Sequence, residues 1–78
     1  MRWFFQKQSE TELYVIYSYA RESETFDGII KVHKPSGKAE IVTPCANDNN
    51  EFSCDSTCEH AYILFREGFP ERRCIACG

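Results

Sequence analysis

Apolar and polar positions alternate along the first half of the chain, and the alternation falls into short blocks separated by turn-forming residues. Residues 2–7 (RWFFQK) and 12–20 (ELYVIYSYA) are rich in aromatic and β-branched types around a polar connection, which predicts two strands joined as a hairpin. In the second, Leu13, Val15, Tyr17 and Tyr19 share one face and Tyr14, Ile16, Ser18 and Ala20 the other. That strand is expected to be buried on one side and partly covered on the second. Residues 20–28 are polar up to Phe26 and close on the turn dipeptide Asp27–Gly28, so they read as a loop. Residues 28–34 (GIIKVHK) alternate again, with Ile30 and Val32 against Ile29, Lys31 and His33, and KPSGK turns the chain into AEIVT. A second hairpin follows from that pattern.

The period then lengthens. Residues 44–55 are dominated by turn formers and have no periodicity, which predicts an irregular segment leading into a helix. Two residues compete to start it, Ser53 and Ser56, and Ser56 is favoured because Glu59 stands three residues later in the capping-box position. The helix is expected over about 56–67, with Gly68 as a left-handed stop and Pro70 just beyond it. On a wheel of about 100° per residue centred on Cys58, the residues Cys54, Ala61, Tyr62, Phe65 and Phe69 fall within one stripe about 100° wide, which is expected to face the sheet. His60 falls about 200° from Cys58, pointing away. Residues 71–77 (ERRCIAC) read as a final strand. The order β-β-β-β-α-β predicts an α+β fold in one domain, residues 1–78. It has a four- to five-stranded, mainly antiparallel sheet with the helix packed on one face.

Composition narrows the function classes. A chain of 78 residues hides only about 60% of the surface its unfolded form exposes, yet 42% apolar and 14% aromatic residues are a globular composition. The net charge of −3, with both signs interspersed, argues against nucleic acid, which needs a basic stripe. The apolar run at Trp3–Phe5 is too short for a signal peptide, and no segment approaches the roughly 20 apolar residues of a membrane span. A cytoplasmic protein is expected, with thiols kept reduced, and an odd total of five cysteines suits that better than a disulfide framework.

The cysteines are the first candidate chemistry. Cys54, Cys58, Cys74 and Cys77 have a spacing close to that of structural zinc sites. Geometry opposes it: in a strand, Cys74 and Cys77 face opposite sides about 10 Å apart. Buried, reduced thiols are the plainer reading, with a small zinc domain as the first alternative. A thiol-dependent redox protein is the second. The final CIAC has the CxxC spacing, and Arg72 and Arg73 would favour a thiolate, but no helix follows the pair to lower its pKa. Cys58 in the first turn of the predicted helix has neither a base nor an orienting partner, since His60 diverges and His33 belongs to a distant strand. The acidic stretch 47–52 lacks the ligand alternation of a calcium loop and reads as a solvated loop. No phosphate loop, serine elbow or carboxylate pair is present.

Eleven aromatic residues are more than one helix can cover. Phe4 with Tyr14 or Tyr17 is expected on the uncovered face, either as a protein-contact surface, homodimer formation included, or as cross-strand pairs that stabilise a small sheet.

DGII at 27–30 and EGFPERRCIACG at 67–78 resemble small uncharacterised proteins of Gram-positive gut bacteria. The resemblance covers about the second half of the chain and implies no activity, because that group carries no assigned function. It also implies that other residue types replace several of these cysteines, against the zinc reading. The expectation is a small, soluble, noncatalytic binding or regulatory module that acts through protein contacts.

Overall fold

The computed structural model describes residues 2–22 and 25–76. Five strands, β1 (Arg2–Glu10), β2 (Tyr14–Arg21), β3 (Gly28–His33), β4 (Ala39–Thr43) and β5 (Arg72–Ala76), and one helix, α1 (Glu51–Arg66), follow in the order β-β-β-β-α-β. The strands form a single antiparallel sheet in the order β4-β3-β2-β1-β5, so both hairpins pair as neighbours and the last strand returns to the outer side of β1. This is the expected α+β architecture.

Period-two alternation decides which face is buried. Trp3, Phe5, Val15, Tyr17, Tyr19, Ile30, Val32 and Ile75 all point to the helix side and form the core with Cys45, Ala61 and Leu64. Each large side chain removed from water there contributes roughly 1.5–3 kcal/mol, which a chain of this size needs. The helix packs chiefly on β3 and β4. Two connections approach the same face: Asp48, between β4 and α1, binds Tyr19, and the Tyr17 hydroxyl donates to the Pro70 carbonyl oxygen at 2.6 Å. Leu13, assigned by alternation to the buried face, lies in the β1–β2 turn instead and is exposed.

The helix starts earlier than the capping box suggested. Asn50 is the N-cap, its side-chain oxygen accepting the Ser53 N–H at 2.9 Å, so residues 51–55 are helical rather than irregular. The stop is as expected: Gly68 adopts φ +79°, and the Phe69 N–H closes back on the Leu64 carbonyl at 2.8 Å. The buried stripe is rotated from the predicted one. It runs through Thr57, Ala61 and Leu64, leaving Cys58 and Phe65 on one flank and Tyr62 46% exposed.

Candidate functional site

The rotation of α1 follows from a buried polar cluster that the alternation pattern did not show. Asp48, in the supposedly solvated loop, has its carboxylate buried beneath the helix. Arg21 Nη1 donates to Oδ1 at 2.9 Å; Tyr19 Oη and Thr57 Oγ1 each donate to Oδ2 at 2.7 Å. The outer donors are satisfied in turn. Trp3 Nε1 donates to Thr57 Oγ1 at 2.8 Å, and the Cys45 N–H donates to Tyr19 Oη at 3.0 Å. The Tyr19 ring lies so close over Gly28 that a Cβ there would stand 2.3 Å from Cε1, so only glycine leaves room for the ring that carries this hydroxyl. Burial pushes the Tyr17 and Tyr19 phenols well above their ordinary range.

His60 does not point to solvent. Its ring stacks on Trp3 with centroids 3.9 Å apart, while Nδ1 donates to the Ser56 carbonyl at 2.8 Å. Arg21 lies over the same indole at 5.0 Å. Among the described residues, no buried side-chain nitrogen or oxygen lacks a partner. A cluster so closed fixes the 44–50 segment and the register of α1 against the sheet, and it offers no vacant donor or acceptor to a substrate. Arg21 at the end of an apolar strand and Thr57 within an apolar helix stripe were its signals in the sequence.

The cysteines divide between the two sides of the sheet. Cys54 and Cys58 stand one helical turn apart on the covered side, half-buried, and Cys54 Sγ donates to the Asp48 carbonyl at 3.7 Å. Burial pushes both thiols up from their ordinary range, with nearby acidic groups adding to the effect, opposite to what an activated nucleophile needs. Cys74 is paired with Phe4 and therefore faces away from the helix, exposed. Cys77 lies outside the described residues. Among the described residues, no group of three or more His, Cys, Asp or Glu side chains is placed to hold a metal ion.

The protein-contact candidates divide as well. Phe4 and Tyr14 lie on the uncovered face, where Phe4 is opposite Ala20 and Tyr14 opposite His33. Tyr17 does not: it is fully buried on the helix side, because its position in the alternation matches Val15 and Tyr19. Around Phe4 and Tyr14 the open face carries Ile16 and Ile29, the latter 38% exposed, and Val42, at the register shift between β3 and β4, is 57% exposed. Its cations are Arg2, set over the Phe4 ring, Lys31 over the Tyr14 ring at 4.1 Å, and Arg72, opposite Gln6. The carboxylates at its margin are engaged, Glu40 with His33 at 3.0 Å and Glu22 with the Arg2 backbone N–H at 3.0 Å. At one end, Phe4, Gln6, Phe26, Arg72 and Cys74 line a groove of about 350 Å³.

No helix of the described residues is long and apolar enough to cross a membrane. The chain matches no protein-family model, no curated protein and no solved structure.

Proposed function

We propose that this protein is a small noncatalytic binding module that acts through protein contacts made by the uncovered face of its sheet. One observation carries the reading: a five-stranded sheet has its single helix on one side, and the other side presents exposed apolar residues among cations. Partner chemistry follows from charge. The chain as a whole is acidic at −3, whereas the open face gathers Arg2, Lys31 and Arg72 and its bordering carboxylates are engaged. The fitting occupant is an acidic protein surface with an apolar ridge, drawn on by the cations and held by Ile29 and Val42. The odd cysteine total supports a cytoplasmic setting.

The test uses the double variant Ile29→Asp, Val42→Asp, at positions 38% and 57% exposed, with its fold checked against the wild type by circular dichroism. A partner identified with the wild-type protein is purified and titrated against both forms at several salt concentrations. The reading expects at least about a tenfold loss in the variant and weaker wild-type binding as salt rises. A partner bound equally by both forms would refute it. Self-association on light scattering, lost in the same variant, would identify a second copy as the occupant instead.

A further inference from the structure

The outer face of α1 has the chemistry that the open face of the sheet calls for. The exposed residues of the helix are Glu51, Phe52, Asp55, Glu59, Tyr62 and Arg66. On a wheel of about 100° per residue they fall within one stripe about 100° wide, roughly opposite the stripe of Thr57, Ala61 and Leu64 that is turned to the sheet. Phe52 is 84% exposed, more than any other large apolar side chain among the described residues, and Tyr62 lies on the same stripe. Three of the six are carboxylates, set against a single cation, Arg66. None of those carboxylates enters an ion pair among the described residues.

Charge and apolar surface are therefore complementary between the two sides of the molecule. The open side of the sheet sets Phe4, Tyr14 and Ile29 among Arg2, Lys31 and Arg72, whereas the helix sets Phe52 and Tyr62 among Glu51, Asp55 and Glu59. Two open sheet faces laid together would oppose like charges; a sheet face laid on a helix face pairs opposite ones. We propose that the outer face of α1 in one copy docks on the open sheet face of a second copy, with Phe52 against the apolar side chains around Ile29 and the three carboxylates among the cations. This rests on the open face being a binding surface, and it names a second copy of the chain as the acidic partner with an apolar ridge. The two surfaces lie on opposite sides of the sheet, so a copy that holds its neighbour's helix still offers its own. The contact is heterologous, and copies add head to tail instead of closing as a two-fold dimer.

Two variants test it, each with its fold checked by circular dichroism. Ile29→Asp, Val42→Asp spoils the sheet surface and keeps the helix face, while Phe52→Ala, Glu59→Lys spoils the helix face and keeps the sheet surface. The wild type should gain average mass on light scattering as its concentration rises to about 1 mM, and should lose that gain as salt is added. Each variant alone should stay monomeric. Mixed in equal amounts, the two should form a complex of about twice the 9.1 kDa chain mass and no larger, because only one productive junction remains between them. A wild type or an equal mixture that is still monomeric at about 1 mM would overturn the proposal. So would a Phe52→Ala, Glu59→Lys variant that associates as strongly as the wild type, which would place the contact between two sheets. A foreign partner lost in the Ile29→Asp, Val42→Asp variant while the wild type stays monomeric would keep the open face as a binding surface and overturn only the helix as its occupant.

Discussion

A buried carboxylate is tolerated only while its donors stay in place, and Asp48 has three: Tyr19, Arg21 and Thr57. Removing the carboxylate takes its buried ion-pair partner from Arg21, itself 7% exposed, and leaves two buried hydroxyls without the acceptor for their protons. Asp48→Ala should therefore cost about 3–5 kcal/mol, a large share of the stability a domain of this size commands. Thr57→Val, which deletes one donor to Asp48 and the acceptor for Trp3, should cost about 1–3 kcal/mol. Urea unfolding followed by the fluorescence of Trp3, the single tryptophan, measures both, and an Asp48→Ala midpoint equal to that of the wild type would refute the account. None of this was legible from alternation, because Asp48 sits among Asn and Glu residues that read as solvated. A hydrogen-bonded pair formed between residues 27 positions apart leaves no periodic trace in the sequence.

At the level of elements, five strands and a helix could be read from the chain because each strand's period-two pattern is set by a single buried face. The helix start was misplaced for a local reason. Ser56 with Glu59 has the spacing of a capping box, but Asn50 caps the helix six residues earlier, its side chain accepting the Ser53 N–H, and leaves Ser56 inside it. The rotation is a separate matter from the start: the stripe turned to the sheet runs through Thr57, Ala61 and Leu64 rather than being centred on Cys58. Thr57 and Leu64 lie about 100–120° from Cys58 on the wheel, and the Asp48 cluster rewards that orientation. Single substitutions separate the two starts. Asn50→Ala should lower stability by about 1 kcal/mol, whereas Ser56→Ala, in the helix interior, should change it by less than about 0.5 kcal/mol. Loss of helical circular dichroism on heating at a lower midpoint for Asn50→Ala alone is the expected result; the reverse order would restore the later start.

Across the whole molecule, charge is segregated in a way the sequence conceals, because successive residues of a strand go to opposite faces and an evenly mixed string can still build a cationic surface. Acidic partners of the other sign pattern hold the sheet's margins together. The Glu10 carboxylate accepts from Lys34 at 2.5 Å and Lys7 at 2.8 Å, which lowers its pKa to about 2, and pairing with His33 and Arg73 lowers those of Glu40 and Glu67. Between about pH 4.5 and pH 2 the unfolded chain holds protons that the folded one lacks, so stability rises with pH there and is lost on acidification. The urea midpoint should fall over that window, and Glu10→Gln should flatten the fall. Arg73 has a further effect on the assembled sheet. The Lys7 N–H bonds the Glu71 carbonyl at 2.8 Å, and alternation along β1 and β5 makes Phe5–Arg73 and Trp3–Ile75 hydrogen-bonded pairs too, which turns the backbone of Cys74 outward on the sheet's free edge. The Arg73 guanidinium, anchored by Glu67, donates to that outward carbonyl and so occupies an acceptor that another strand would use. Arg73→Ala exposes it. Antiparallel pairing of β5 with a second β5 centred on Cys74 would set Arg72 opposite Ala76, with no like charges facing each other. Arg73→Ala should therefore self-associate more strongly than the wild type at equal concentration on light scattering, and Glu67→Gln should fall between them; identical masses for all three would show that the edge is blunted by something other than this arginine.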